Sequence, residues 1–549
     1  MKLPRTLGAV LAAAVLFIAL VSAVGGVAAA AGRPPVITSI SPGYGPLAGG
    51  TVVTITGTGF IGATSVSFGT KAAASFSVAS DTQITATTPA GTGIVPVTVT
   101  TRDGTASRKF SYTPIQHVVV IYLENQSFDS VLGYWCDANP RRCPAGGMPA
   151  SVTLSDGSVV KPGIAPDTVP NVLHSVAAQT TAMDGGKMDG WANIPDGTCD
   201  AATGYACITG YQPSAIPNFA TLATDFAISD RTFSLADSPS FGGHLYAVMP
   251  STDGFTGDIP FPDKAAGAPP FGPGWGCDSN RITTVIGVTG YYPSCIPDPS
   301  LPLPNGGAFE PTPVHYVKTI MDRLDGARLP WKIYGTPYPT NWQYPEKTGY
   351  TWSTCPVMAE CLYTSQDKNL VDAGQFVTDA AAGNLGAWSL VVPGTGGGGA
   401  SCHNNTSMAL CDNWAGQLVS AAENGPDWSS TAIFITFDDC GCFYDQVPPG
   451  TNPDGTQRGP RSPLFIVSPY AKAGYTDDHS ATFASILAFT ERNFGLEALG
   501  VNDAKIYDYS NAFNYTQAPL SKTLAVMRQY KLPASALLLK PSAAQFGDT

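Results

Sequence analysis

Acidic and amide side chains directly follow two largely apolar segments of this chain. Residues 117–123 lead into Glu124 and Asn125, and residues 432–437 lead into Asp438 and Asp439. Adjacent carboxylates beside a buried strand are costly to remove from water unless a cation neutralises them. Their oxygen atoms suit Mg²⁺, Ca²⁺ or Mn²⁺ better than copper. Taken alone, the pattern leaves two interpretations open, namely that these acids hold a divalent metal ion or that they only cap the following helices.

The hydrophobic pattern indicates which elements carry these residues. Segments without polar alternation have the composition of buried strands at residues 117–123, 388–392, 432–437 and 464–468. Helical periodicity covers residues 314–324, 414–423 and 482–493. Strands that alternate with helices predict a parallel α/β sheet, and ligands bind such sheets beyond the carboxyl ends of the strands. Two strands that end in acids could therefore bring their side chains together at one site.

An earlier part of the chain, residues 34–113, has a different pattern. Short runs that alternate in polarity, such as residues 51–56 and 94–100, are separated by glycine-rich turns. Several strands within so short a segment, with almost no helical periodicity, favour a small β-sandwich. This segment contains no cluster of acids, bases or nucleophiles, so we expect the chemistry to lie after residue 114.

The composition excludes one class of partner and supports a large core. The 549 residues carry 29 Lys and Arg against 41 Asp and Glu, which gives a net charge of −12. No nucleic-acid binding is expected, because phosphate neutralisation needs clustered positive charge. Hydrophobic residues make up 44% of the chain, which is enough to build a buried core.

The first 31 residues have the order of a secretory signal peptide. Lys2 and Arg5 precede an apolar run that ends in the small residues 28–31, all alanine. We therefore expect cleavage near Ala31 and a secreted, extracellular protein. The alternative is an uncleaved membrane anchor, because the run is long enough to span a bilayer.

Cysteines of an exported chain are expected in disulfides. The twelve cysteines fall in near neighbours along the chain, which predicts disulfides in at least five of the six local pairs 136–143, 199–207, 277–295, 355–361, 402–411 and 440–442. The last pair is the least favourable, because only one residue separates the two thiols. A zinc site is the rival interpretation, although the chain has no C-x-x-C pair.

The segment HVVVIYLENQSFD, residues 117–129, resembles the opening motif of the bacterial phosphoesterase family. Further blocks of the same kind follow in order, including FDDCGCFYD at residues 437–445 and GPRSP at residues 459–463, and the resemblance spans about residues 115–497. That family includes secreted phospholipases C and an acid phosphatase, and its fold is related to alkaline phosphatase. The segment ISPGYGP, residues 40–46, resembles the IPT/TIG immunoglobulin-like module. Together these imply an IPT/TIG domain at 34–113 and an alkaline-phosphatase-like catalytic domain at 115–549, with a parallel sheet between helices.

The resemblance implies roles for individual residues. Glu124, Asn125, Asp438 and Asp439 match metal ligands, and Ser240 matches a nucleophile that also touches the metal. His174 and His479 match histidines near the phosphoryl pocket, and His403 falls where relatives often have a histidine. Asp129 and Asp445 are expected to orient the ligands, whereas His244 and His315 are expected to be structural. The implied cofactor is a divalent metal ion, Mg²⁺, Ca²⁺, Mn²⁺ or Zn²⁺, and the resemblance fixes neither its identity nor the number of ions.

The implied activity is hydrolysis of a phosphate mono- or diester through a phosphoseryl intermediate. The substrate could be a phospholipid, with peripheral contact to a membrane. Three positions depart from the family pattern, namely Gln126 in place of Arg, Gly243 in place of Asn and Gln446 in place of His. These departures suggest an altered substrate preference. The alternative function is an extracellular binding or adhesion protein built on an inactive hydrolase scaffold.

Overall fold

The computed structural model of this chain describes two folding units in succession, a β-module and a larger α/β unit. The described residues are 33–45, 49–91, 93–253, 257–258, 282–283, 292–293, 318–335, 353–355, 358, 361, 364–393, 400–515 and 517–524. The predicted signal peptide lies outside these residues, as do Cys277, Cys295 and His315.

The N-terminal module is built from short strands, as predicted for residues 34–113. Its strands are β1 (Val36–Ser41), β2 (Tyr44–Gly45), β3 (Val52–Thr58), β4 (Ser65–Phe68), β5 (Lys71–Ala72), β6 (Ser75–Ser80), β7 (Gln83–Thr87), β8 (Gly93–Thr101) and β9 (Gly104–Tyr112). They form two sheets, ordered β1-β3-β7-β6 and β2-β9-β8-β4-β5. Every second residue of β3 is buried, because successive side chains of a strand point to opposite faces. Val53, Ile55 and Phe110 belong to the module's own hydrophobic core.

The larger unit is organised around an eight-stranded sheet. Its strands, with the short strands of the connecting segments, are β10 (His117–Leu123), β11 (Val152–Thr153), β12 (Val159–Val160), β13 (Gly163–Ile164), β14 (Thr209–Gly210), β15 (Ala227–Ser229), β16 (Thr232–Phe233), β17 (Ile282–Thr283), β18 (Tyr292–Pro293), β19 (Trp331–Gly335), β20 (Leu370–Asp372), β21 (Trp388–Val391), β22 (Thr431–Phe437), β23 (Leu464–Val467), β24 (Tyr475–Asp477) and β25 (Ala481–Thr482). The four predicted buried strands are present as β10, β21, β22 and β23, and all but one of their residues are buried.

The strand order of this sheet is β20-β19-β21-β10-β22-β23-β15-β24. The first five strands are parallel, but β23 is antiparallel to both of its neighbours, β22 and β15. The sheet is therefore mixed, and the prediction of a parallel sheet is wrong for the strand at 464–468. A parallel return needs a crossover, usually a helix, and residues 438–463 contain none.

Helices cover the sheet and connect its strands. They are α1 (Phe128–Ala138), α2 (Val176–Met183), α3 (Pro217–Asp225), α4 (Ser240–Leu245), α5 (Ile320–Ala327), α6 (Gln375–Ala382), α7 (Met408–Asn424), α8 (Ala484–Phe494) and α9 (Val501–Lys505). Helix α7 begins earlier than predicted, because Ser407 caps it by accepting a hydrogen bond from the Leu410 N–H at 3.2 Å.

The module touches the larger unit at the C-terminal end of α8. The ring of Tyr44 packs edge-on against Phe494 with a centroid distance of 5.2 Å. The Asn493 side-chain amide donates to the Ile115 carbonyl, in the segment that joins the two units, at 3.1 Å. These contacts lie on the connecting segment and on the end of one helix, so they leave the carboxyl ends of the central strands free.

Four of the predicted disulfides are present, and they join residues 136 and 143, 199 and 207, 355 and 361, and 402 and 411. Cys440 and Cys442 are instead buried free thiols, so the prediction of a bond between them is wrong. The Cys442 N–H lies 3.1 Å from the Cys440 sulfur, and the residue between them turns through a left-handed conformation. Within the described part of the chain, no helix combines the length and the apolar composition that crossing a membrane requires.

Candidate active site

The two acidic segments meet because their strands are neighbours in the sheet. Strand β10 pairs with β22 in a register that sets Leu123 opposite Phe437. The Asn125 N–H donates to Asp438 Oδ1 at 2.8 Å, and the Gln126 N–H donates to the Asp439 carbonyl at 3.0 Å. The structure therefore brings together the four residues that sequence reasoning named as metal ligands.

A glycine allows these two turns to approach each other closely. Gly441 has a φ of +56°, and a Cβ at this position would lie 2.3 Å from the Asn125 carbonyl oxygen. Its N–H donates to Asp439 Oδ1 at 2.6 Å and thereby orients that carboxylate. Asn125 is itself left-handed, with a φ of 55°. Only a residue without a side chain fits at 441, because both the conformation and the space exclude a Cβ.

Helix α4 supplies the predicted nucleophile. Ser240 is its first residue and is almost fully buried. The Ser240 Oγ lies 3.1 Å from the Asn125 side-chain amide and 3.5 Å from Asp439 Oδ2. The hydroxyl thus lies beside Asn125, which follows β10, and beside Asp439, which follows β22. The oxygen atoms of these two side chains can accept its proton in a hydrogen bond.

The same helix supplies His244, which was predicted to be structural. Its Nε2 lies 2.9 Å from Glu124 Oε1 and 3.6 Å from Asp438 Oδ2. Residues four apart on a helix share a face, so Ser240 and His244 both point toward the acids. The spacing Ser-x-x-x-His was the signal in the sequence that could have identified this histidine.

Burial and mutual repulsion make the cluster unfavourable without a cation. Burial raises the pKa of Glu124 to about 8. Burial also raises the pKa of Asp438 and of Asp439 well above the ordinary value, with Glu124 adding to both shifts. The Glu124 Oε2 atom is buried and has no hydrogen-bond partner. These residues therefore fit a divalent metal ion, because the ion would restore the charged carboxylates and use the unpartnered oxygen.

The surroundings of the Asn125 side-chain amide are also consistent with a bound metal ion, whichever way the amide is oriented. In one orientation its nitrogen donates to Ser240 Oγ, Asp438 Oδ1 and Asp439 Oδ2, each at 3.1 Å. In the other its oxygen occupies that place, which is unfavourable beside two carboxylates unless a cation lies between them. A bound ion would therefore select the orientation in which Asn125 is a ligand.

Two histidines lie on the other side of Asn125. His174 and His403 pack edge to face at 5.7 Å, and their Nε2 atoms lie 3.2 Å and 2.9 Å from the Asn125 amide. Burial, followed by the neighbouring His174, lowers the pKa of His403 to about 3, so this ring is neutral at physiological pH. The structure places both histidines where they could contact a group bound next to Ser240.

The remaining predicted histidine, His479, lies elsewhere. It follows β24, the strand at the edge of the sheet and three places from β22. Its Nδ1 is 2.8 Å from Asp477 Oδ1, and its ring stacks on Tyr507 at 4.5 Å. Three strand spacings amount to about 14 Å. The structure does not bring His479 to the acidic centre, and its predicted place near the phosphoryl pocket finds no support in these contacts.

A buried ion-pair network joins the segments that follow the two pairs of candidate ligands. Arg461 donates to Asp129 Oδ1 at 2.8 Å and to both oxygens of Asp445 at 3.0 Å. The Gln446 N–H donates to Asp129 Oδ2 at 3.0 Å. The sequence predicts an orienting role for both acids but gives no role to Arg461, which joins them.

The positions that depart from the family pattern also have local partners. The Gln126 side-chain oxygen accepts a hydrogen bond from Ser130 Oγ at 2.8 Å, and its nitrogen donates to the Cys402 carbonyl at 3.3 Å. A Cβ at Gly243 in α4 would lie 2.6 Å from the Asp438 carbonyl oxygen. An asparagine would therefore not fit at 243 unless the helix moved away from the acids.

Comparison with known proteins agrees with this geometry. Residues 115–497 match the Phosphoesterase family, and residues 35–114 match the IPT/TIG domain. The chain therefore belongs to the Phosphoesterase family and carries an N-terminal IPT/TIG domain.

Its curated relatives are similar at low identity. Non-specific phospholipase C1 of Arabidopsis thaliana is 22% identical over 481 residues, which cover 79% of this chain and 76% of that protein. Phospholipase C A of Mycobacterium tuberculosis is 23% identical over 471 residues, which cover 74% of this chain and 79% of that protein. Non-specific phospholipase C6 of Arabidopsis thaliana is 24% identical over 391 residues, covering 66% of this chain and 63% of that protein. The family and these relatives indicate a hydrolase that acts on phosphoester bonds.

Proposed function

We propose that this protein is a secreted, metal-dependent phosphoesterase of the phospholipase C or acid phosphatase type, with Ser240 as its nucleophile. The observation that carries the proposal is the position of the Ser240 hydroxyl, 3.1 Å from the Asn125 amide and 3.5 Å from Asp439, in a cluster of buried acids. The names of the relatives favour a phosphodiester of a phospholipid as the substrate.

Different residues would bind the metal ion and carry out the reaction at phosphorus. Glu124, Asn125, Asp438 and Asp439 would hold the metal ion, which supplies charge neutralisation and lowers the pKa of a nearby hydroxyl. Ser240 Oγ attacks phosphorus as the bond from phosphorus to the leaving alkoxide breaks, which leaves a phosphoserine. Water then hydrolyses this ester and regenerates the hydroxyl.

The histidines on the far side of Asn125 would assist the leaving group. A protonated His174 can donate to the departing alkoxide or to a phosphoryl oxygen. The neutral His403 ring donates its one N–H, on Nδ1, to the Asn404 carbonyl at 3.1 Å, so its Nε2 faces Asn125 as an acceptor. Both rings are buried, so neither is exposed to bulk water.

The test is hydrolysis by the purified protein with and without a chelator. Chromogenic phosphate mono- and diesters and phosphatidylcholine vesicles distinguish the two types, and acid quenching should trap phosphoserine at Ser240. Metal-dependent turnover of any of these substrates supports the proposal. A metal-loaded, folded protein that hydrolyses none of them would favour the binding or adhesion function instead.

Secretion is tested separately by N-terminal sequencing of material from the culture medium. We expect the mature chain to begin near Ala31, because the small residues 28–31 form the predicted cleavage region. A chain that retains Lys2 would show an anchor in place of a cleaved signal.

A further inference from the structure

We propose that His244 is a direct ligand of the metal ion, so that the centre is a mixed nitrogen and oxygen site that prefers Mn²⁺ or Zn²⁺ to Mg²⁺ or Ca²⁺. This inference rests on the proposed function, because it concerns the same ion. An imidazole ligand would change which ions the site prefers. A site made only of oxygen ligands favours hard ions such as Mg²⁺ and Ca²⁺, whereas an imidazole favours transition metals.

The first support is the geometry of three ligand atoms. His244 Nε2, Glu124 Oε1 and Asp438 Oδ2 lie within 4.8 Å of one another, with Nε2 at 2.9 Å and 3.6 Å from the two oxygens. Two ligands that each lie about 2.1 Å from one ion are about 3.0 to 3.4 Å apart, depending on the coordination geometry. The observed separations lie on either side of that range.

The second support is the unpartnered oxygen of Glu124. Only about 1% of Glu124 is exposed, and its Oε2 has no hydrogen-bond partner. If His244 only donated a hydrogen bond to Oε1, the buried Oε2 atom would stay unpaired, which costs free energy. An ion bound by the imidazole and the carboxylate together would satisfy both residues.

The third support is the charge balance around the cluster. Among the ion pairs of the described residues, the partner of Glu124 and Asp438 is His244, and no Lys or Arg side chain neutralises them. One imidazole cannot balance two carboxylates at such distances, and Asp439 adds a third acid. A divalent ion held in contact with the imidazole supplies the missing charge.

The fourth support is the backbone that carries His244. Tyr122 donates a hydrogen bond to the Gly243 carbonyl at 2.8 Å, and the Tyr122 ring packs edge-on against the imidazole at 5.3 Å. Gly243 lacks the Cβ that would strike the Asp438 carbonyl oxygen. Helix α4 therefore lies close against the end of β22, and the imidazole is held among the acids.

The experiment measures metal binding rather than activity. Full-length protein is stripped with a chelator and titrated with Mn²⁺, Zn²⁺, Mg²⁺ and Ca²⁺ by calorimetry. Wild type is expected to bind Zn²⁺ and Mn²⁺ more tightly than the other two ions. His244→Gln should weaken Zn²⁺ binding on the order of 100-fold and Ca²⁺ binding by no more than about threefold. His117→Gln is the matched control, because His117 begins β10 at the end of the strand opposite the acids, and it should change neither value.

Spectroscopy separates a ligand from a hydrogen-bonded neighbour. The pulsed EPR spectrum of the Mn²⁺ protein should show ¹⁴N coupling from a coordinated imidazole, and His244→Gln should abolish it. Should that variant fail to fold, His244→Asn and the zinc X-ray absorption spectrum of wild type address the same point. A metal-loaded protein without nitrogen coordination, or with coupling that persists in a folded His244 variant, would overturn the proposal. Either result leaves the proposed phosphoesterase function standing, because activity is assayed independently.

Discussion

Ser240 is the residue on which the proposed chemistry depends most directly. Ser240→Ala should lower kcat on the order of 10³-fold or more, because it removes the covalent path. The metal content should stay unchanged, because the carboxylate ligands remain. Asp438→Asn should instead lose metal and activity together. Steady-state kinetics combined with metal analysis of both variants measures the difference.

The control for this substitution is Ser238, the serine that lies two residues before the start of α4. Its Oγ lies 3.3 Å from the Pro239 carbonyl oxygen, and its N–H donates to the Gln179 side chain. Ser238→Ala should cost far less than Ser240→Ala. Phosphate trapped on Ser238, or a Ser240→Ala protein that is nearly as active as wild type, would refute the assignment.

The state of the cysteines is also a question at the level of residues. We expect alkylation of the unfolded, unreduced protein to label Cys440 and Cys442, because both are buried thiols in the structure and the turn between them is left-handed. Peptide mapping should recover the four bridges at 136–143, 199–207, 355–361 and 402–411 intact. A bridge between Cys440 and Cys442 would contradict this expectation.

At the scale of elements, the approach of α4 to the sheet can be tested with one methyl group. Gly243→Ala would place a Cβ 2.6 Å from the Asp438 carbonyl oxygen, so the helix must move outward. We expect a loss of stability of about 1–3 kcal/mol. Activity should also fall, because Ser240 and His244 move with the helix. Thermal unfolding and kinetics check both effects.

Gly326→Ala is the matched control for that variant. Gly326 lies within α5, and a Cβ there would meet nothing within 4 Å. Alanine has the higher helix propensity, so this change should stabilise the protein slightly and leave kcat unaltered. Equal losses from the two substitutions would show that the contact with Asp438 is not the cause.

The contact between α8 and α9 should make stability depend on pH. Burial, with Asp503 adding to it, raises the pKa of Glu491 to about 10. The folded state therefore holds this proton more tightly than the unfolded state, whose carboxyl has a pKa near 4.5. This stabilisation is complete below pH 4.5 and is lost as the pH rises toward 10.

Glu491→Gln should remove this dependence. We expect the variant to be more stable than wild type at pH 8, by a few kcal/mol, and similar to it at pH 4.5. Urea unfolding at the two pH values measures the difference. A variant that is equally destabilised at both would show that the carboxyl is not protonated in the folded state.

At the scale of the whole molecule, the proposed chemistry lies in the larger unit and not in the N-terminal module. Every residue proposed for catalysis lies after position 114, and the module contacts the larger unit through Tyr44 and Phe494. Deletion of residues 34–113 should therefore preserve hydrolysis of a small soluble ester, with a modest fall in Tm from the lost contact. Loss of this activity from a folded truncated protein would contradict the division.

Much of this organisation could be predicted from the sequence alone. The largely apolar runs at β10 and β22 predict buried strands, because a strand with one face in water would alternate apolar and polar residues, and the acids after each run indicate where the centre lies. The alternating pattern of residues 34–113 predicts the module, because alternation matches the two faces of a sheet. Strand burial and side-chain alternation are local properties, because each depends on the types of a few consecutive residues.

Only the tertiary structure decided which of the remaining polar residues join the centre. Asn125 and Asp438 are 313 positions apart and meet through strand pairing. The reversal of β23, the entry of His244, the distance of His479 and the free thiols at 440 and 442 all depend on such long-range contacts. The local pattern records whether a residue is buried, whereas the neighbour of a buried side chain depends on packing between elements that are distant in the sequence.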